Sequence, residues 1–183
     1  MKNKYSEFPK IITPKIFKDE RGYFMETWNS LNHMWPSINW VQDNESCSAK
    51  NVMRGFHWQI APYVQAKLVR VIKGEVIDFA VDIRKNSPTY GYTWSAILNE
   101  ENKYQFYIPR GFAHAFISLK DDTIFSYKCD NYYSKESERS FNVNSITLDM
   151  SPYNINMQDI ILSDKDFKAK HFSDLNDNDL IWE

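Results

Sequence analysis

Between Val41 and Phe141 the chain alternates apolar and polar positions in short, closely spaced runs. Leu68-Val69-Arg70-Val71-Ile72 passes through Lys73-Gly74 into Val76-Ile77-Asp78-Phe79-Ala80-Val81-Asp82-Ile83, and Asn86-Ser87-Pro88 then interrupts the pattern. Tyr104 to Ile108, His114 to Leu119 and Thr123 to Tyr127 follow, separated by Pro109-Arg110-Gly111 and Asp121-Asp122. Runs of this length, rich in β-branched and aromatic residues and punctuated by Gly, Pro and Asp, predict strand after strand. The region from Ile11 to Trp40 reads as short extended pieces plus a helix near Trp28 to Trp35, ended by Pro36. From Ser163 the pattern turns helical and then acidic, finishing in Asp174 to Glu183. All five glycines fall at expected turns or strand ends, where a positive φ is often needed. No stretch reads as a linker or a repeat, so residues 1–183 are expected to form a single domain. The expected class is all-β: a jelly-roll β-sandwich around a pocket, with short peripheral helices.

Charge narrows the ligands. A net charge of −2 leaves no global field to attract nucleic acid or an anionic membrane, so an anionic ligand needs a local cluster of Arg and Lys. No apolar run approaches the ~20 residues that span a bilayer, and Met1 to Lys10 lacks the apolar core of a signal peptide. Cys47 and Cys129 are too few for a disulfide framework, which points to reduced thiols and a cytoplasmic protein.

Four histidines are present, and their spacing argues against a metal centre. His57, in Arg54-Gly55-Phe56-His57-Trp58-Gln59, has no second histidine nearby; His114, in Pro109-Arg110-Gly111-Phe112-Ala113-His114, lacks partners in sequence. His57 then reads either as an acid or base, its ordinary pKa of ~6.5 suiting both, or as a hydrogen-bonded structural residue. Asp166 closes a Ser163-x-x-Asp166 pattern, a helix-capping box; its functional reading is a carboxylate orienting a catalytic imidazole. Tyr127 shares a strand face with Phe125 and is either a core phenol or a pocket acid. Lys67 opens a strand, where it is either solvated or an ammonium placed for an oxyanion. Arg21 and Arg54 each precede a glycine, which suits close approach of backbone to phosphate oxygens.

Taken in order, these segments resemble the dTDP-4-dehydrorhamnose 3,5-epimerase family, a branch of the cupin-type jelly rolls. The resemblance runs from about Ile16 to Asp166. It rests on Asp19 to Glu26, Val41 to Ser46, Val52 to Gln59, Gln65 to Arg70, Gly74 to Arg84, Ile108 to Phe116, and Tyr127 with Tyr132-Tyr133. Carried over by position, it implies His57 as base, Asp166 as its partner, Tyr127 as the acid across the ring, and Lys67 near the sugar's C4 oxygen. It places His114 in the pocket wall, Arg21 and Arg54 on the diphosphate, and Glu26, Gln42, Asn44 and Tyr132 around the nucleotide and sugar. It also implies a homodimer, a nucleotide-sugar substrate, and neither metal nor organic cofactor. The sequence departs from the family pattern at Trp58, at Ser140-Phe141-Asn142, where a tryptophan is usual, and at Leu148 to Pro152, which lacks a Trp-Pro pair.

The chemistry accounts for these residue types. A C4 ketone acidifies the protons at C3 and C5; a neutral imidazole removes one, an ammonium holds the enolate oxygen, and a phenol returns a proton to the opposite face. No hydride moves, in keeping with the lack of a Gly-rich dinucleotide loop. The expected reaction is double epimerisation of dTDP-4-dehydro-6-deoxy-D-glucose. The alternatives are inversion at a single carbon of a dTDP- or GDP-linked sugar, a ketoisomerase, and a non-catalytic sugar-nucleotide binder.

Overall fold

A computed structural model describes residues 7–32, 35, 38–148, 150, 153 and 155–180 of the chain. The strands are β1 (Lys10–Ile12), β2 (Ile16–Asp19), β3 (Gly22–Met25), β4 (Gln42–Ser48), β5 (Met53–Gln59) and β6 (Lys67–Lys73). They continue with β7 (Glu75–Asp82), β8 (Thr93–Asn99), β9 (Gln105–Ile108), β10 (Phe112–Ser118), β11 (Thr123–Cys129) and β12 (Glu138–Ser140), followed by one helical turn, α1 (Asp164–Phe167). Two five-stranded sheets form, in the orders β1-β9-β6-β11-β4 and β12-β5-β10-β7-β8, while β2 and β3 stand apart as a hairpin. This is the expected all-β sandwich. Among the described residues no helix is long and apolar enough to cross a membrane.

Strand periodicity decides what each sheet face carries. On β7 the even positions Val76, Asp78 and Ala80 alternate with Ile77, Phe79 and Val81, and every one of them is buried. Val76 and Ala80 join Val69, Phe106, Phe116 and Phe125 in a core between the sheets. Ile77, Phe79 and Val81 join Met53, Phe56, Trp58 and Phe141 in a second core on the outer side of the β12–β8 sheet. The C-terminal segment covers that outer core. Leu180 is buried in it, and the indole N–H of Trp58 donates to the carbonyl of Asp179 at 2.8 Å. Described to Leu180, the acidic tail is thus part of the packing. Phe141 stacks on Phe56 at 4.7 Å and lies 5.9 Å from Trp58. Each such ring contributes ~1.5–3 kcal/mol by leaving water.

Three expectations are corrected. The described residues of Trp28 to Trp35 form no helix, and Pro36 lies outside the described residues. The indole of Trp35 instead donates to the buried Gln105 side chain at 2.6 Å. Trp35 is buried with Ile38, Leu68 and Tyr107 against the first sheet, so tertiary anchoring of large rings overrides a helical spacing. The helix from Ser163 lasts a single turn before giving way to short 3-10 turns, because its asparagine- and aspartate-rich continuation favours caps over propagation.

The third correction is Gly55, which sits inside β5 and not at a turn or strand end. Opposite it the register shifts: His114 pairs with His57 but Phe116 with Arg54, so Gly55 and Phe56 together face the single residue Ala115. This bulge changes the phase of β5. Met53, Phe56 and Trp58 point to the outer core, whereas Arg54 and His57 line a recess inside the sandwich. Gly55 has φ +121°, and a Cβ there would stand 2.5 Å from the carbonyl oxygen of His114. Gly55→Ala is therefore expected to cost roughly 2–5 kcal/mol, combining backbone strain with overpacking. Urea denaturation checks this, and a wild-type midpoint would show that the bulge does not require glycine.

Candidate active site

The recess is the end of the sandwich interior that the core leaves unfilled, about 490 Å³ in volume. Four strands and the C-terminal segment deliver these polar groups: Arg54 and His57 from β5, Lys67 from β6, His114 from β10, Tyr127 from β11, and Asp166 from α1. Phe116 and Phe125, stacked at 4.2 Å, and the neighbouring Ile161 form its apolar wall. An adjoining lobe of about 240 Å³ shares His57, Lys67 and Tyr127 and adds Gln42, Asn44 and Glu138. One continuous cleft therefore holds most of the residues singled out from sequence.

His57 and Asp166, 109 residues apart, meet at 2.5 Å between Nε2 and Oδ1. Ser163 caps α1 through its side chain: its Oγ accepts from the Asp166 backbone N–H at 3.1 Å and donates to the Asp166 carboxylate at 2.9 Å, and the reciprocal carboxylate-to-backbone bond of a full capping box is not among the bonds of the described residues. The N-cap thus fixes the carboxylate that faces the imidazole. Burial acts to raise the Asp166 pKa, but the bonds from His57 and Ser163 and the backbone N–H of Gly55 hold it below the usual carboxylate range. An ionised carboxylate at Nε2 keeps a proton on that nitrogen, leaving the Nδ1 lone pair of neutral His57 to act as base.

Tyr127 and Lys67 sit together, the ammonium 5.8 Å from the centre of the phenol ring. Burial, with smaller effects from the groups around it, pushes the Tyr127 phenol up to about 12, so it stays protonated across the physiological range. Burial pulls the Lys67 ammonium below its ordinary value, against the opposing influence of Cys129, Asp78 and Glu138. Arg54 is held by Ser48 Oγ at 3.1 Å and the Cys47 carbonyl at 3.1 Å, which aims its guanidinium along β4. Gln42 donates to Asn44 at 3.0 Å in the adjoining lobe.

Three expected residues are not brought into the cleft. Arg21 lies at the tip of the β2–β3 hairpin, 85% exposed and paired with Asp19. Glu26 follows that hairpin and accepts from the Asn29 side chain. Tyr132 is 61% exposed and meets the cleft only through its carbonyl, which accepts from Gln59. The adjacent Tyr133 lines the lobe instead, its hydroxyl donating to Glu138 at 3.1 Å. Both tyrosines are largely exposed, and backbone phase decides which of the two rings borders the lobe.

The cleft also contains residues that sequence reasoning passed over. Lys165, beside Asp166, bonds Glu138 at 2.5 Å and lines the recess. Asp78 is buried beneath His114, each of its oxygens 3.0 Å from Nε2. The available signal for Asp78 was a lone carboxylate in the apolar run from Val76 to Val81. Among the described residues no three His, Cys, Asp or Glu side chains converge as metal ligands.

A model of the dTDP-4-dehydrorhamnose 3,5-epimerase family matches residues 8–174. The chain is 45% identical over 176 residues to the dTDP-4-dehydrorhamnose 3,5-epimerase of Shigella flexneri, covering 92% of this chain and 94% of that one. Its fold superposes with a TM-score of 0.87 on the dTDP-6-deoxy-D-glucose-3,5-epimerase of Legionella pneumophila Philadelphia 1 in complex with dTDP-4-keto-L-rhamnose. That protein is 42% identical, over 96% of this chain and 93% of its own. It also resembles ChmJ, a 3'-monoepimerase of Streptomyces bikiniensis seen with dTDP, at 27% identity and a TM-score of 0.80 over 91% and 84% of the two chains. The ChmJ structure is a double mutant whose altered histidine and tyrosine are 70 residues apart, the separation of His57 and Tyr127. The match in sequence and fold, extending over a cleft that pairs a carboxylate-held imidazole with a protonated phenol, establishes that the chain belongs to the dTDP-4-dehydrorhamnose 3,5-epimerase family of isomerases.

Proposed function

We propose that the protein inverts C3 and C5 of dTDP-4-dehydro-6-deoxy-D-glucose to give dTDP-4-dehydro-L-rhamnose. The observation that carries this reading is the convergence of His57, Lys67 and Tyr127 on one recess. Nδ1 of His57 takes the proton from the carbon beside the ketone, and the C–H electron pair moves to O4 as an enolate. The Lys67 ammonium stabilises that oxygen. The Tyr127 hydroxyl then returns a proton from the other face, and the resulting phenolate and imidazolium exchange their proton back through solvent. Each inversion moves protons only, so atoms and charge balance without a redox partner. Arg54 binds the diphosphate, while Gln42 and Asn44 in the adjoining lobe take the nucleotide side. The chain forms one domain, since His57 and Asp166, 109 residues apart, meet in one cleft. The free thiols of Cys47 and Cys129 suit a cytoplasmic enzyme.

The protein acts, on this reading, as a homodimer. Among the described residues the β2–β3 hairpin pairs with no other strand, and it exposes Phe17, Tyr23 and Phe24 at 51%, 57% and 69%. A second copy is the partner such a detached, aromatic hairpin fits. Arg21 of the partner subunit then serves the diphosphate, with Glu26 and Tyr132 at the rim. The likeness to ChmJ favours a second reading, inversion at one carbon.

Proton NMR in heavy water separates the two readings: deuterium at both C3 and C5 is expected, deuterium at one carbon supports monoepimerisation, and deuterium at neither sinks both. His57→Ala is expected to lower exchange by more than ~100-fold while dTDP binding persists, and unchanged rates would remove His57 from the mechanism. Tyr127→Phe is expected to keep exchange but lose inverted product, which an unaltered product ratio would contradict. Because the Lys67 ammonium is depressed, activity is expected to fall on the alkaline side below the ordinary lysine value of ~10.4. In Lys67→Arg the residual activity should lose that alkaline limb, since guanidinium stays charged.

A further inference from the structure

The cleft holds two histidine–aspartate pairs, and their surroundings differ in a way that bears on where the protons lie. Asp166 receives His57, the Ser163 hydroxyl and the Gly55 backbone N–H. Other buried aspartates are similarly supplied: Asp82 by Arg84, Ser87 and Thr89, and Asp130 by Arg110 and the Ala66 N–H. Asp78 is fully buried, yet among the described residues His114 is its one side-chain hydrogen-bond partner. A carboxylate has about four acceptor sites and no donor, and an anion so poorly solvated is costly inside a protein. A carboxylic acid in the same place needs to make one donation, and Nε2 of His114 lies 3.0 Å away.

We propose that Asp78 is the donor of its pair, so that neutral His114 accepts at Nε2 and presents Nδ1–H to the recess as a hydrogen-bond donor. This reverses the His57–Asp166 pair, where the carboxylate accepts and the imidazole is left basic. On the epimerase reading above, on which this part rests, His114 and Lys67 then serve the developing O4 oxyanion together. His114 is the binding group, and Asp78 is the positioning residue that sets its tautomer. A neutral imidazole carries one N–H, so acceptance at Nε2 obliges Nδ1 to hold the proton.

The charges facing the pair agree. Burial pushes Asp78 well up, with Lys67 opposing through space, and pushes His114 well down, with Lys67 and His57 adding to the effect. On β7's other side Asp78 faces Ala96 of β8, which brings no charge. On β10, His114 pairs in register with His57, and Phe125 of β11 stacks on it at 6.1 Å. Lys67 is itself faced by Tyr127, Cys129 and Glu138. With a cation across the cavity, protonating His114 is opposed from two directions.

Long-range proton–nitrogen NMR of ¹⁵N-histidine-labelled, ligand-free protein tests this directly, with the His114 ring assigned from its loss in His114→Gln. The expected result is an Nδ1–H tautomer that persists from about pH 5.5 to about 8.5, across the ordinary histidine pKa of ~6.5. An Nε2–H tautomer or an imidazolium at His114 overturns the proposal. A second measurement uses Asp78→Asn, whose amide can still donate to Nε2. Its exchange rate is expected to stay within ~10-fold of wild type, whereas Asp166→Asn, which disturbs a carboxylate that must accept, loses more than ~100-fold. A loss of ~10-fold or more in Asp78→Asn would falsify the donor assignment. The tautomer is read without substrate, so if the wild type exchanges no proton the epimerase reading fails while the proton placement remains tested.

Discussion

The phase shift in β5 is the constraint on which the rest of the cleft depends. In an unbroken strand Arg54 and His57 would point to opposite faces, and a one-residue slip exchanges every inward position for an outward one. By placing Gly55 and Phe56 opposite Ala115, the bulge sends Phe56 and Trp58 to the outer core and both Arg54 and His57 to the interior. The bulge also leaves a backbone N–H without a ladder partner, and the Gly55 N–H is one of the donors that hold Asp166 as an anion. One irregularity thus turns the imidazole inward and helps to ionise the carboxylate that orients it.

The interior shows how one pair of residue types can be set for opposite tasks. Asp166 lines the recess among several donors and is held below the carboxylate range, whereas Asp78 is buried behind His114, its one side-chain partner among the described residues, and is driven well above it. Tyr127 is kept protonated by the same desolvation that weakens the Lys67 ammonium. Low dielectric magnifies each of these effects. An imidazole, a phenol and an ammonium are arranged side by side because the strand faces that carry them are otherwise lined by Val69, Phe116 and Phe125.

The C-terminal segment belongs to both the core and the cleft. Ile161 bridges to Val52, and the Met53 N–H donates to the Ile161 carbonyl at 3.0 Å, which places Ser163 to Asp166 over the recess. Beyond it Phe172, Leu175 and Leu180 pack onto the outer core. Trp58 and Phe141, two positions read from sequence as departures from the family pattern, meet there with ring centroids 5.9 Å apart. They change the back of the sheet and leave the recess to the opposite face.

The strands, the sandwich and the residue types of the candidate site were legible in sequence because alternation is local and a proton-transfer site needs few kinds of group. His57, Lys67, Tyr127 and Asp166 were singled out on chemistry and ordered motifs, and the structure brings them together. Spacing left open whether Asp166 capped a helix or faced an imidazole, since the answer depends on a contact 109 residues away. It also misread Trp28 to Trp35 as helical, while the resemblance pointed to Tyr132 and the structure sets the neighbouring Tyr133 against the lobe. Sequence alone determined the secondary-structure pattern and the available chemistry. Tertiary structure decided which way each side chain faces, how dry its surroundings are, and hence where Asp78 and Asp166 differ, because desolvation and hydrogen-bond supply arise only when distant strands close around a residue.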